Sequence, residues 1–324
     1  MKAAQLVGPK RFQFVDVDMP TAKDGECLVK LERLSICGSD IRDGYGPVFP
    51  EEEYPFPVGR PCHELAGVVV ESRTDEFREG QRAIVLPPSG QSGGLVEYIA
   101  SAPNRMIPLP DQGDLSDWVM CQPSGTVLYA CKYMGNVFGK SVMIAGQGAI
   151  GLSFTMLLAK QGADKVIAVD PLDYRLDYAT RFGATHTINP GRQNLAEAVL
   201  EITGGVGADI TVEAGGYPET LDMSFQHVRN NGMVIIFGIQ EADVTPVNLK
   251  ILRIKQPTII PATGGRSADP TSHIKQIVAL RERGWVDPAL MVTHRLGFNA
   301  EDVSRAYEIY EDHLDNVVKV VMTL

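Results

Sequence analysis

The chain has 324 residues, of which 44% are hydrophobic and 22% charged, with a formal net charge of −10. That is enough for two domains of roughly 100–200 residues each. It excludes the basic patch of a nucleic-acid binder, and no run approaches the roughly 18–20 apolar residues of a membrane span.

The opening stretch MKAAQLVGPKRF lacks the apolar core of a secretion signal. The 5 cysteines are Cys27, Cys37, Cys62, Cys121 and Cys131. Their odd number, irregular spacing and lack of a C-x-x-C pair argue against a disulfide framework. A cytoplasmic protein with one or two functional thiols is expected.

Residues 1 to 123 carry short β-type runs broken by Gly and Pro: FQFVDVDMP, ECLVKLERLSICG, ELAGVVVES, EGQRAIVLPPSG and GLVEYIA. They predict a strand-rich, barrel-like domain. DLSDWVMCQPSGTVLYACKYMG then reads as helical and ends near Gly135.

From GKSVMIAGQGAIG onward, strands and helices alternate. SVMIA, KVIAVD, HTIN, ADITVEAGG and MVIIFGI read as strands. AIGLSFTMLLAKQGA, YRLDYATRFGA, NLAEAVLEITGG and PETLDMSFQHVRNNG read as helices. The alternation predicts a doubly wound parallel sheet over 124–291, because only crossover helices join parallel strands. In the last stretch Asn299 is placed to cap a helix, with Asp302 at its third position. NVVKVVM closes the chain as a strand whose texture matches the first domain. The expected organisation is therefore α/β, with residues 1–123 and 292–324 forming one split domain around an inserted second.

Within AGQGAIG, Gly146, Gly148 and Gly151 form G-x-G-x-x-G, with Ala149 and Ile150 opening the helix. The motif follows a strand and opens a helix in a βαβ unit, the context in which it binds a dinucleotide pyrophosphate. Asp170 ends the next strand about 20 residues on, where an acid accepts the adenosine ribose hydroxyls. A carboxylate there repels a 2′-phosphate, so NAD is preferred over NADP. Arg175 is the counter-signal: it either pairs with a phosphate, flanks the adenine or caps the next helix.

SICGSD (35–40) and GRPCHELAGVVV (59–70) hold a second constellation. Cys37 offers a thiolate and His63 an imidazole, the donor types of catalytic zinc. Asp40 is a candidate to accept the other ring N–H of His63 and fix its tautomer. The bland alternative makes Cys37 a small buried hydrophobe, His63 a core histidine and Asp40 a turn residue.

CGSD, the HE of PCHELAGVVV, AGQGAIGL, GADITVEAGG and DNVVKVVM, in that order, resemble the zinc-dependent medium-chain dehydrogenase/reductase superfamily, most of all its sorbitol and threonine dehydrogenase side. The resemblance spans nearly the whole chain. It implies a GroES-like catalytic domain, an inserted Rossmann domain, and hydride transfer between an alcohol and the nicotinamide cofactor. It makes Cys37 and His63 zinc ligands, Ser39 the hydroxyl that takes the substrate proton, and Glu64 a nearby or transient ligand. Ala214, after Glu213, and Gly238 and Ile239 of FGI would line the nicotinamide end. It also implies a homodimer or homotetramer paired through the strand around QPTIIPATGG (256–265).

The chain departs from this pattern at four places. The cysteine-rich lobe that holds a structural zinc is absent, so one catalytic zinc and no structural zinc is expected. The Gly before HE is Cys62. The relay His three residues after Ser39 is Arg42, which does not release a proton near neutrality. The acid or Cys expected before Pro123 is Gln122, a neutral donor at a ligand position, so zinc is expected to be held weakly, with Glu64 or Gln122 completing the shell. The leading function is an NAD-dependent oxidoreductase for a secondary or polyol-like alcohol and its ketone. The alternatives are a zinc-free quinone or enone reductase and a catalytically silent NAD-binding protein. Tyr45, Phe49 and Tyr54 are candidate pocket walls or plain loop packing.

Overall fold

The computed structural model describes residues 1–87, 93–240, 244–263 and 267–324. Two compact units account for them: Met1–Gln122 with Ile274–Glu282 and Asp287–Leu324, and Pro123–His273 with Arg283–Val286.

The first unit begins with a hairpin, β1 (Lys2–Gly8) and β2 (Arg11–Asp16). β3 (Cys27–Ser35) follows, then α1 (Gly38–Asp40), β4 (Glu64–Ser72), β5 (Arg82–Val85), β6 (Tyr98–Ser101) and β7 (Met106–Pro108). The connection from β5 to β6 includes residues 88–92, which lie outside the described residues.

The helical stretch expected after Asp114 is two helices, α2 (Leu115–Trp118) and α3 (Cys121–Tyr133). Asp114 caps α2 by accepting from the Ser116 N–H at 2.8 Å. Pro123 is tolerated because it sits in the first turn of α3, where its missing N–H has no partner to lose.

In the second unit the order is β8 (Ser141–Ala145), α4 (Ala149–Lys160), β9 (Lys165–Val169), α5 (Asp173–Arg181), β10 (His186–Ile188), α6 (Leu195–Ile202), β11 (Ala208–Glu213), α7 (Pro218–His227), β12 (Val228–Ile236), α8 (Leu249–Lys255) and β13 (Thr258–Pro261). The sheet runs β10-β9-β8-β11-β12-β13, and every pair in it is parallel. In chain order that is 3-2-1-4-5-6, the Rossmann arrangement, with its reversal between β8 and β11. Both faces are covered, so β8 is buried at every residue and reads as a continuous apolar run.

The helix expected over PETLDMSFQHVRNNG ends early, at His227. β12 starts at Val228, and its pairing with β11 shifts between Ala208 and Ile210 to absorb the Asn-Asn-Gly segment, where Asn231 has φ 53°.

The chain then forms α9 (Pro270–Glu282), β14 (Val292–Gly297), α10 (Ala300–Glu311) and β15 (Lys319–Thr323). Asn299 caps α10 as expected, accepting from Glu301 and Asp302 at 3.1 and 3.0 Å. β15 pairs antiparallel with β3, Val321 opposite Ser35, so both ends of the chain build one sheet of order β14-β15-β3-β4-β5-β7, with β6 also on β3. Ile274–Glu282 groups with the first unit, Arg283–Val286 with the second, and Asp287–Leu324 with the first again.

The first unit's core joins Leu6, Leu31, Leu34 and Leu65 to an aromatic cluster. Tyr45 belongs to that cluster. It is 4% exposed, stacked on Phe12 at 5.7 Å and tilted against Tyr307 at 5.0 Å. Phe49 and Tyr54 pack on Phe56 at 5.1 and 5.2 Å. Among the described residues no helix is long and apolar enough to cross a membrane.

Candidate functional site

Three expected donors come together in the first unit. One ligand atom each from Cys37, His63 and Glu64 lies within 4.8 Å of the other two. Cys37 follows the end of β3, and His63 and Glu64 sit where β4 begins. The antiparallel register that pairs Ser35 with Glu64 is what brings these distant segments side by side.

Asp40 organises the group. It is 2% exposed, and its two oxygens do different work. Oδ2 accepts from the Cys37 backbone N–H at 2.9 Å, and Oδ1 lies 2.7 Å from Nδ1 of His63. One buried carboxylate thus fixes the Cys37 turn and the imidazole together, and it leaves Nε2 as the donor nitrogen of His63. Burial alone would lower the His63 pKa, but the charge and hydrogen bond of Asp40, and then Cys37, hold it well above the ordinary 6.5.

Among the described residues, Cys62 and Cys121 are not part of this group. Cys62 is fully buried, and burial pushes its pKa well above 9.0. Burial pushes Cys121 up to about 12.

Glu64 has a partner that sequence reasoning missed. Lys319 Nζ lies 2.7 Å from Oε1 and 2.6 Å from Oε2, and also donates to the Ile36 carbonyl at 2.7 Å. The two side chains are 0% and 1% exposed. Each carboxylate oxygen keeps a second lone pair, so Glu64 remains able to bind a metal, but with its charge already compensated. The signal was present in the sequence: a lysine inside the apolar strand NVVKVVM needs a buried partner.

Ser39 lies in α1 and Arg42 in the π-type turn Ile41–Tyr45 that follows. Gln122 is 6% exposed in the first turn of α3, its N–H donating to the Val119 carbonyl at 3.0 Å. The donor set of thiolate, imidazole and carboxylate fits zinc in kind, and Cys37, His63 and Glu64 are the residues that would hold it.

In the second unit the glycine motif occupies the β8–α4 turn. Gly146 adopts φ 95°. A Cβ at Gly151 would fall 1.8 Å from the Gly146 carbonyl oxygen, whereas one at Gly148 would meet nothing within 4 Å. The first and third glycines therefore close the turn, and the second leaves open space at the N-terminus of α4, where Ala149 and Ile150 begin the helix. That cradle fits a pyrophosphate.

Asp170 is 3% exposed at the end of β9. Its oxygens accept from the Gln147 N–H at 2.7 Å and the Leu172 N–H at 2.9 Å, and Arg175 Nη1 stands 3.7 Å away. The acid thus ties the glycine turn to β9, with Arg175 facing it. Ala214 follows β11, its N–H on the Ala145 carbonyl at 3.0 Å, beside the turn after β8. Gly238 follows β12 and donates to the Glu213 carbonyl at 3.0 Å, with Ile239 exposed beyond it. Gly146, Gly148, Asp170, Ala214, Gly238 and Ile239 follow the carboxyl ends of the strands, where open parallel sheets bind ligands, while Arg175 lies in α5 and Ala149, Ile150 and Gly151 in α4.

Residues 23–111 match the Alcohol dehydrogenase GroES-like domain, and residues 149–280 match the family described as Zinc-binding dehydrogenase. An alcohol dehydrogenase of Cupriavidus necator is 26% identical, over 99% of this chain and 98% of that one. The sorbitol dehydrogenase of Bacillus subtilis strain 168 is 27% identical, over 78% and 79%. The crystal structure of an Escherichia coli oxidoreductase/dehydrogenase of unknown specificity superposes with a TM-score of 0.88 at 25% identity, covering 99% of this chain and 98% of that one. With the GroES-like sheet, the Rossmann order and the Cys-His-Glu group on one chain, this protein belongs to the zinc-dependent medium-chain dehydrogenase/reductase superfamily and is an oxidoreductase of the alcohol-dehydrogenase type.

Proposed function

We propose that this chain is a zinc-assisted, NAD-dependent dehydrogenase that interconverts a secondary or polyol-like alcohol and its ketone. The observation that carries the reading is Asp40, which holds the Cys37 backbone and the His63 ring at once beside Glu64. When bound, zinc supplies Lewis acidity to an alcohol oxygen, and the nicotinamide supplies the hydride acceptor.

The chain's own residues do the rest. Cys37 and His63 hold the metal, with Glu64 or Gln122 completing the shell. Asp40 keeps the His63 tautomer correct for ligation through Nε2. Ser39 takes the proton of the substrate hydroxyl and hands it to solvent. Arg42 is not part of that relay, because a guanidinium stays charged. Gly146, Gly148 and Gly151 cradle the pyrophosphate, and Asp170 orients the adenosine ribose. Metal analysis of the purified protein, together with NADH absorbance in the presence of NAD and a panel of polyols, tests the proposal. Stoichiometric absence of metal combined with reduction of quinones or enones would favour the zinc-free reading, to which the Lys319–Glu64 pairing lends some weight.

Cofactor choice follows from Asp170. Catalytic efficiency with NAD is expected to exceed that with NADP by at least about tenfold, about 1.4 kcal/mol of differential stabilisation. Asp170→Ser should erode the preference, because Arg175 would then face a 2′-phosphate without an opposing carboxylate. Equal efficiency with the two cofactors in the unsubstituted enzyme would refute this.

The protein is also expected to assemble as a homodimer or homotetramer. Among the described residues β13 is the edge of the six-stranded sheet and pairs only with β12, and Ile259 on it is 38% exposed. An open edge of this kind favours pairing with a second copy. Gly264 and Gly265, at the end of the expected interface segment, lie outside the described residues. Sedimentation at micromolar concentration should show no stable monomer.

A further inference from the structure

Glu213 ends β11 as a fully buried carboxylate inside a hydrogen-bonded cage. Oε1 accepts from the Gly216 N–H at 2.6 Å and the Thr220 hydroxyl at 2.7 Å. Oε2 accepts from Nε2 of Gln240 at 2.9 Å. Gln240 Nε2 also reaches the Gly238 carbonyl at 3.4 Å.

These partners settle which end of the Gln240 amide is which. A carboxylate and a carbonyl are both acceptors, so the group facing them is the NH₂. The remaining atom, Oε1, is an acceptor, and it is buried with no hydrogen-bond partner among the described residues. A buried acceptor without a donor is destabilising, and its presence in a fully bonded cage points to a donor that arrives with a ligand.

The location narrows the donor. Gln240 lies just past the carboxyl end of β12, in the β11-β12 half of the sheet, beside Gly238 and Gly216. A Cβ on Gly238 would stand 2.4 Å from the Gly216 N and 2.6 Å from Glu213 Oε2, so the backbone here is packed to its limit around the cage. The adenosine half of a dinucleotide belongs on the other side of the switch point, at β8 and β9, where Asp170 is. What reaches the β12 end is the nicotinamide half, and its carboxamide carries two N–H donors.

We propose that Gln240 Oε1 accepts a hydrogen bond from the carboxamide NH₂ of the nicotinamide, and that Glu213 is the positioning residue that holds the amide in that orientation. The inference rests on the NAD reading above. It makes the Gln240 side chain, rather than backbone alone, a reader of the cofactor's reactive end.

Direct binding measures it without turnover. Affinities are determined by calorimetry for NAD, for its 3-acetylpyridine analogue, in which CH₃ replaces the amide NH₂, and for ADP-ribose, which has no nicotinamide ring. The wild-type protein should bind NAD about tenfold more tightly than the acetylpyridine analogue. Gln240→Met, similar in length but without the amide, should reduce that ratio to about one to two while ADP-ribose affinity stays unchanged. ADP-ribose binding also reports that the variant is folded. A wild-type ratio near one overturns the proposal before any variant is made. A ratio kept intact in Gln240→Met, or an equal loss of NAD and of the analogue, overturns it as well. If the wild-type protein does not bind ADP-ribose, the NAD reading itself fails and this inference falls with it.

Discussion

Lys319→Met is expected to destabilise the folded chain by about 3–5 kcal/mol, the usual penalty for removing one partner of a buried ion pair. Lys319 and Glu64 are fully shielded from water, and both Glu64 oxygens lie on the single ammonium. Without Nζ, Glu64 is a buried carboxylate with no counter-charge, and the Ile36 carbonyl loses its donor as well. The size of the loss measures that stranded charge and not the net worth of the pair. Glu64→Leu combined with Lys319→Met should therefore recover most of the stability, since an apolar pair of similar volume leaves nothing stranded.

The pH dependence has a definite sign. Burial alone would lower the Lys319 pKa, but Glu64 outweighs it and leaves the pKa raised. A group whose folded pKa is raised contributes its stability below its unfolded value and loses it as pH rises through the folded one. The penalty of Lys319→Met should hold steady from neutrality to about pH 10, the ordinary lysine range, and shrink above it. Urea unfolding followed by circular dichroism at pH 7 and at alkaline pH checks both points. A midpoint unchanged in the single variant would show that leaving Glu64 without its counter-charge costs nothing.

The second unit was legible because its signals are local. A strand, a glycine turn, an apolar helix and a terminal acid fall in one short stretch, and AGQGAIG through Asp170 needs no distant contact to be recognised. Asn299 was legible for the same reason, since a cap and its helix are neighbours. Other features depended on pairs far apart in the chain. Lys319 meets Glu64 only because β15 lies against β3 and β3 against β4. Gln240 meets Glu213 only because β12 lies against β11. Tyr45 reads equally as a pocket wall or as loop packing, because loop composition says nothing about which way an aromatic ring faces, whereas the fold stacks it on Phe12. The helix that ended early at His227 yielded to the β11 pairing, a tertiary demand that helical periodicity does not contain.

A mild chelator is expected to remove the metal and with it the dehydrogenase activity, more readily than in a site with two uncompensated anionic ligands. Cys37 supplies one negative donor and His63 none. Glu64 supplies a second, but Lys319 already balances it, so the group's net attraction for a dication is close to that of the thiolate alone. Gln122 does not correct this, because an amide oxygen carries a dipole and no charge. Cys62 and Cys121 do not either, since neither belongs to the group of ligand atoms that come together. Gln122→Glu should therefore tighten zinc by about 10–100-fold, the range through which neighbours of a metal site tune affinity. Cys37→Ala should abolish both metal content and turnover while leaving ADP-ribose binding intact, because the glycine turn belongs to the other unit. Metal content by mass spectrometry after graded chelation, read alongside activity, gives the order expected: Gln122→Glu retains most, wild type less, Cys37→Ala none. Suppose instead that the wild type keeps a full equivalent through chelation and Gln122→Glu is indistinguishable from it. Glu64 would then bind the metal at full strength despite Lys319, and the reading of a charge-compensated, loosely held zinc would be wrong.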